Sequence, residues 1–494
     1  METDPSLLNR KENKMKPIPK IIDAAIRSFF IVLFIYAAVS KMSDFETFQV
    51  QLAQSPLFGN CSPLVSYATI GVELGTVLLL SVRRCHMTGL YASLGIMSAF
   101  AAYIYVILKY SDSVPCACGG ILENMDWNTH LVFNLFCALL AIVAIAARTT
   151  KEQRQTAMLV IGSVVLPIAG VIVLYYPHRN DNQGTFTRIM MTPLAEERKT
   201  LPLPRGNYYF AGRHGDSVFL ANHRTPLLLT TVLPGFNSLK TDTIRLNNYN
   251  YEFVSVTVNV HYPYFTVSDG KVPVIFEGRM PSLKAYDAGI NRLYFSRLYL
   301  LGPQRYVFKT MLVKTKQSEL GILNTASQKY WINPDVLPAS SEGVFGSDGS
   351  ISIDFESQHI LYTHLYRSEI ITTDFDLRHI RRKNTIDSLS GTEMETQTLQ
   401  NGQTKLLRAP VEINRHQSIA GSRLYNVSKM RGKNESYGDF RRNDVIDVYD
   451  ALTQQYRYSF YLKNEKRIKI RGILATPSYL YVLSENTLTR YRFK

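Results

Sequence analysis

The chain has 494 residues, 46% hydrophobic and 11% aromatic, with 55 Lys and Arg against 40 Asp and Glu and a formal charge of +15. That composition excludes a disordered or collagen-like chain. The five cysteines (Cys61, Cys85, Cys116, Cys118 and Cys137) all fall in the first part, which excludes a disulfide-stapled secreted scaffold. The mean hydropathy of −0.06 averages two unlike parts. Residues 1–176 hold 13 basic and 11 acidic side chains, whereas residues 177–494 hold 42 and 29, a net of +13.

Residues 1–20 read as a polar N-terminal tail, and residues 21–176 as a helical membrane bundle. Five apolar runs approach or exceed the roughly 20 residues that a bilayer requires: Ile21–Ser40, Leu64–Ser81, His86–Leu108, His130–Ala147 and Ala157–Tyr176. The first is too long for a signal-peptide core and lacks a small-residue cleavage site, so it reads as a retained anchor. Lys11, Lys14, Lys16 and Lys20 precede the first run, Arg83 and Arg84 separate the second and third, and Arg148, Lys151 and Arg154 separate the fourth and fifth. Positive loops face the cytoplasm. The expected protein is therefore a multi-pass protein of the bacterial inner membrane, N-terminus cytoplasmic. The loops Lys41–Pro63 and Lys109–Thr129, and everything after Tyr176, are then periplasmic. One span would suffice as an anchor; five short-looped spans make a bundle with an interior.

Asp23, Arg27 and Glu73 are ionisable residues in or near lipid, where an unpaired charge costs at least about 2.5 kcal/mol. Counting helical rise, Arg27 lies roughly 10 Å above the cytoplasmic end and Glu73 roughly 15 Å below the outer edge of a core about 30 Å thick. An Arg27–Glu73 pair is the expected intramembrane contact, either as structural glue or as part of a proton or quinone site.

Pro115-Cys116-Ala117-Cys118-Gly119-Gly120 is the sharpest chemical feature. Two cysteines one residue apart close only a small, strained ring, and strain makes a disulfide labile, which suits exchange rather than stapling. Two incidental thiols are the plain alternative; a metal pair lacks further ligands, His130 being the only nearby imidazole. Cys61 is either a third, resolving thiol or an unpaired small residue. His130 either tunes a thiol and passes a proton or is an ordinary interfacial histidine. Cys85 and Cys137 read as structural.

Residues 177–200 read as a linker and 201–494 as an all-β domain. Short aromatic strands recur with polar turns between them: Tyr208-Tyr209-Phe210 with Val218-Phe219-Leu220, Tyr264-Phe265 with Val274-Ile275-Phe276, and Leu293-Tyr294-Phe295 with Tyr306-Val307-Phe308. Val344-Phe345 with Ile351–Phe355, and Tyr479–Leu483 with Leu488–Phe493, repeat the plan. Turns such as Ser347-Asp348-Gly349-Ser350 and Ser484-Glu485-Asn486 suit hairpins. This pattern predicts a β-propeller of five to seven blades, closed by joining a terminal strand to the other end of the ring; a pair of sandwiches is the alternative. The domain is basic, most densely at Arg378–Lys383 and Lys463–Arg471. Outside the cell, anionic lipid, polysaccharide or an acidic protein would answer that charge rather than nucleic acid; a solvated surface is the plain reading.

Residues 20–147 resemble the MauE branch of the MauE/DoxX group of redox-associated membrane proteins. The resemblance is carried by Ser40–Leu52 and Gln54–Leu57, by Gly71-Val72-Glu73-Leu74-Gly75, by Pro115–Gly120 and by Trp127–Asn134. It implies a four-helix core, cysteine chemistry at Cys116 and Cys118, and a role in maturing disulfide-rich clients beside a thioredoxin-like partner. It leaves the fifth span and the β-domain outside the family pattern.

Two functions follow as expectations. In one, Cys116 and Cys118 exchange disulfides with a periplasmic protein, a membrane quinone is the candidate electron carrier, and the propeller selects the client. In the other, the chain is a non-enzymatic assembly subunit of a larger membrane complex, whose propeller docks a protein or glycan. No quinone fingerprint, haem motif or nucleotide loop is present in the sequence.

Overall fold

The computed structural model describes residues 20–55, 61–110, 125–148, 153–175, 184–204, 206–312, 317–339, 345–387, 396–398, 404–406, 411–464 and 468–494. They form two compact units, residues 1–180 with 395–409, and residues 181–394 with 410–494.

The first unit is built from α1 (Lys20–Ser43), α2 (Phe45–Gln54), α3 (Ser62–Ser81), α4 (His86–Tyr110), α5 (Trp127–Arg148) and α6 (Gln153–Tyr175). Five of these, all but α2, are long and apolar enough to cross a membrane. The short α2 falls where the sequence reading placed a loop. Asp44 caps it by accepting from Thr47 N–H at 3.2 Å, and Phe48, Val50 and Leu52 bury one side. The core joins Phe30 and Phe34 of α1 to Leu80, Leu90, Leu94 and Met97, and to Cys137, Ala141, Ala144 and Ile145 of α5. α6 packs on α4. Pro167 has no N–H for the Ser163 carbonyl, and Gly95 lies against that carbonyl, where a Cβ would sit 3.4 Å from it.

The second unit is a β-propeller-like ring of six four-stranded antiparallel blades, within the expected range, of which the first two join edge to edge into one nine-stranded sheet. Its strands begin with β1 (Leu194–Pro202). The first blade is β2 (Tyr208–His214), β3 (Ser217–Asn222), β4 (Leu228–Val232) and β5 (Leu239–Thr243). After the two-residue β6 (Arg245–Leu246), the second is β7 (Val256–His261), β8 (Tyr264–Asp269), β9 (Val274–Arg279) and β10 (Lys284–Asp287). The third is β11 (Arg297–Gly302), β12 (Arg305–Leu312), β13 (Gln317–Asn324) and β14 (Lys329–Asn333). The fourth is β15 (Gly349–Asp354), β16 (His359–His364), β17 (Glu369–Asp374) and β18 (Arg381–Asn384). A hairpin of β19 (Thr396–Thr398) and β20 (Thr404–Leu406) follows in sequence but groups with the helices. The fifth blade is β21 (Asn414–Ala420), β22 (Arg423–Ser428), β23 (Asn443–Asp450) and β24 (Tyr456–Lys463), with the short α7 (Tyr437–Arg442) inside it. β25 (Gly472–Ala475), β26 (Tyr479–Leu483) and β27 (Thr487–Phe493) make three strands of the sixth.

The fourth strand of that last blade is β1, which pairs antiparallel with β27 from Lys199↔Arg490 to Pro202↔Thr487. A terminal strand thus closes the ring, and part of the expected linker is a blade strand. Six apolar seams run between successive blades: Phe219 with Val258, Ile275 with Tyr306, Val307 with Ile360, Leu361 with Leu424, Val427 with Ala475, and Leu483 with Val218. Inner strands β2 and β7 even pair in parallel, Gly212 opposite Val260. A Cβ on Gly212 would lie 2.0 Å from the Val260 carbonyl, so no other residue permits that approach. The strand expected at Leu293-Tyr294-Phe295 is loop; Leu293 and Phe295 fill the second seam instead. The basic cluster Arg381–Asn384 is the exposed outer strand of its blade, where charge protects an open edge.

Ahead of β1, Met190 bridges in parallel to Ser459 of β24. Arg188, 2% exposed, fixes this strap. Its Nε donates to Asp447 at 2.7 Å, its Nη2 to Asp447 and to Ser428 at 3.0 and 2.9 Å, and its Nη1 to Glu435. Replacing Arg188 with Met strands two buried carboxylates and is expected to cost about 3–5 kcal/mol, read as a loss of β-sheet circular dichroism at lower urea.

His416 of β21 is an acid-sensitive group of the ring. Burial holds its imidazole down to about 4, and its Nε2 lies 3.1 Å from the Ile470 carbonyl. The unfolded chain binds that proton first, so the stability His416 confers is intact above about pH 6.5 and is lost as pH falls toward 4. The His416→Gln variant is expected to flatten this acid limb in urea titrations made across that window.

Candidate functional site

Helix directions define the site. Arg27, early in α1, lies beside His86 just past the end of α3, and Lys41, late in α1, reaches Glu73 of α3. α1 and α3 therefore run antiparallel. α6 runs parallel to α4, since Gly95 meets Ser163 and Ile107 meets Val171 further along both. The end where α1 and α6 stop and α3 and α5 start is called the upper end below.

At the lower end the carboxylate of Asp23 is fully paired. Asp23 accepts from Arg148 Nε at 2.6 Å through one oxygen, and from Arg27 Nε at 3.2 Å and Arg148 Nη2 through the other. Arg27 Nη1 also lies 3.1 Å from His86 Nε2. Three helices are tied here, and Arg27 does not meet Glu73.

Glu73, 1% exposed, takes its cation from Lys41 instead, at 2.7 Å. The correction has a steric cause. Every side chain on a helix leans toward that helix's N-terminus, so Arg27 leans down toward Asp23. Lys41 also leans down, its ammonium reaching the Ala37 carbonyl at 3.3 Å, while Glu73 on the antiparallel α3 leans up. Backbone depth alone paired the wrong residues. The Lys41 ammonium also sits 5.8 Å from the Phe48 ring of α2, so the helix absent from the sequence reading helps to hold the pair.

α5 brings two further groups. Asp126 caps it, accepting from Thr129 N–H at 3.3 Å and from the Thr129 hydroxyl, and these bonds hold its carboxyl below the usual range. His130 lies on the first turn, its ring 6.3 Å from that of Trp127 and within electrostatic reach of Lys41. One turn deeper, Asn134 is 2% exposed and heads the buried stripe Cys137, Ala141 and Ala144. Glu73 Oε2 and Asn134 Nδ2 have no hydrogen-bond partner among the described residues. Lys41 and Asn134 were not singled out from the sequence for chemistry. An amide four residues after His130 inside an apolar run was the available signal.

Of the expected thiols, Cys61 is exposed at the N-cap of α3, at the upper end. Cys116 and Cys118 lie outside the described residues. Cys85 is half-buried and Cys137 buried, and neither is in a disulfide.

Residues 19–147 match the model of the methylamine utilisation protein MauE family. The matched segment takes in α1 to α4, all but the last residue of α5, the Lys41–Glu73 pair, His130, Asn134 and all five cysteines. No curated protein matches the chain. Among solved structures, the chain is similar to a member of the DUF4221 family from Bacteroides vulgatus at 12% identity and a TM-score of 0.41, covering 64% of this chain and 99% of that one. A putative exported protein from Bacteroides fragilis gives 10% identity and 0.40, covering 63% and 99%. A calcium-binding protein, regucalcin, from Agrobacterium tumefaciens gives 9% and 0.34, covering 63% and 97%.

Lys41→Met leaves the Glu73 carboxylate buried without its cation and is expected to destabilise the helical unit by about 3–5 kcal/mol. The Lys41→Met/Glu73→Leu double variant is expected to recover most of that loss. Thermal unfolding of the detergent-solubilised full chain checks both.

Proposed function

We propose that this is a membrane thiol-disulfide oxidoreductase that matures periplasmic client proteins. The MauE match across the segment containing Cys116-Ala117-Cys118 carries the reading. The placement of Cys61 and of the start of α5 at one end of the bundle supports it, because Cys116 and Cys118 precede α5 by about ten residues in the sequence. The basic residues Arg83, Arg84 and Arg148 at the opposite end favour an orientation with the upper end outside the cytoplasm.

In the reaction, a client thiolate attacks one sulfur of the Cys116–Cys118 disulfide and forms a mixed disulfide. The client's second thiolate then attacks its partner sulfur, which releases the oxidised client and leaves Cys116 and Cys118 as a dithiol. Closing the pair again removes two electrons and two protons. A lipid-soluble quinone is the acceptor class that takes up both and becomes a quinol. The propeller-like unit, with its net positive charge, would select clients of acidic surface.

The test is alkylation with a mass-shifting maleimide in intact cells, before and after reduction. Cys116 and Cys118 are expected to shift in mass only after reduction when oxidant is present. Cys116→Ser or Cys118→Ser is expected to abolish client oxidation while leaving membrane insertion unchanged. Thiols that never react, or full function in the double Ser variant, would leave the non-enzymatic assembly subunit as the reading.

A further inference from the structure

The lower and upper polar clusters of the bundle differ in one respect. Asp23 has a guanidinium on each of its oxygens, which is what a purely structural ion pair requires. Glu73 has a cation on Oε1 alone; its Oε2 is buried and unanswered, and a buried donor, Asn134 Nδ2, is equally unanswered on α5, which packs on the same α1 that carries Lys41. Leaving such groups dry is costly, and an internal water relieves an orphaned donor and an orphaned acceptor alike.

Their depths form a series. At 1.5 Å per residue, His130 lies about 5 Å, Asn134 about 10 Å and Glu73 about 16 Å from the upper ends of their helices. Glu73 and Asn134 both lean upward, and the Lys41 ammonium hangs down between those levels to meet Glu73. An imidazole at the mouth, an amide below it, and a carboxylate with a free oxygen at the bottom are the components of a hydrogen-bonded proton chain. We infer that His130, Asn134 and the Lys41–Glu73 pair, joined by internal water, carry protons between the upper face of the bundle and Glu73.

The groups around Glu73 leave that carboxylate as the terminus. From α1 the facing charge is Lys41, and from α5 it is His130. α3 holds no second charged residue. α4 contributes only His86 at the lower end and Lys109 at the upper, α6 only Arg154 near its start, and α2 only Glu46 at the upper end. Below Glu73 the α3 stripe passes Thr76, whose hydroxyl donates to the Val72 carbonyl at 2.8 Å, and ends at Leu80 against Phe30 and Phe34. Among the described residues no charged side chain lies between Glu73 and the Asp23 cluster, so the path delivers protons to mid-bundle, or collects them there, with no charged relay across. This inference rests on the helical unit alone and does not require the cysteine chemistry.

Dicyclohexylcarbodiimide, which is lipid-soluble and attacks protonated carboxyls, tests it on the full chain in native membranes, with adducts located by peptide mass spectrometry. Glu73 is expected to be labelled, faster as the pH of the medium is lowered, and Glu73→Gln to remove that adduct. His130→Leu and Asn134→Leu are each expected to slow labelling about fivefold, the rate equivalent of one hydrogen bond. No adduct on Glu73 at any pH, or a rate indifferent to both Leu variants, overturns the path. Maleimide labelling of Cys116 and Cys118 in the same membranes reports separately on the oxidoreductase reading, so either proposal can fail alone.

Discussion

A charge that leaves water has to be met by an opposite charge within reach of its own side chain, and that constraint organises both units of this protein. In the helical unit it fixes which helices touch. Glu73 on α3 requires Lys41 on α1, and Asp23 on α1 requires Arg148 on α5. Each pair sets the rotation of two helices about their axes, something that apolar contacts against lipid-like neighbours specify poorly. In the ring, Arg188 requires Asp447 and Glu435. That triad carries one positive and two negative charges, and further bonds complete it: Arg188 donates to Ser428, Ser459 donates to Asp447 at 2.5 Å, and Tyr461 and the Gly432 N–H donate to Glu435 at 2.8 and 2.6 Å. A buried group of this kind adds little net stability over an apolar replacement but is costly to break. It places the strap on β24 and no other strand.

The ring also solves the problem of its own ends. A propeller assembled from consecutive hairpins leaves one outer strand position empty in the last blade, and an open edge of that kind invites pairing with other chains. Here β1 fills it, over a register in which the half-buried Leu201 faces the buried Leu488. Closure therefore couples the first and last segments of the unit. The sixth seam, Leu483 and Leu488 against Val218 and Leu220, forms only when both are in place. The parallel contact of Gly212 with Val260 tightens the ring from inside at the first seam.

Much of this was legible in the chain. The five apolar runs became α1, α3, α4, α5 and α6 within a few residues, because length and hydropathy decide a span almost alone. The hairpins at Tyr208–Leu220, Tyr264–Phe276 and Tyr479–Phe493 were readable from aromatic strands flanking polar turns. α2 was not, although Asp44 with Thr47 is a cap signal and Phe45, Phe48 and Leu52 follow helical spacing; flanking spans drew it into a loop reading. Strand β1 was hidden because Glu196, Glu197, Arg198 and Lys199 make it polar, as an outer strand is free to be. The intramembrane pair was half legible. That Glu73 needs a cation follows from burial cost, but which cation depends on side-chain direction, and counting Cα depth alone discards that information.

The two polar clusters of the bundle separate structure from chemistry more sharply than their residue types do. Both hold an acidic residue, a cation and a histidine: Asp23, Arg27 with Arg148, and His86 below; Glu73, Lys41 and His130 above. Below, planar guanidiniums fork onto the carboxylate and both oxygens are satisfied. This arrangement suits Arg, which stays charged and donates in fixed directions. Above, the cation is a lysine with a single bond to the carboxylate, and the second oxygen has no hydrogen-bond partner among the described residues. A lysine exchanges partners and protons more readily than an arginine. The bundle thus spends its rigid donors where three helices must be pinned, and keeps its exchangeable ones at the end where Cys61 caps α3.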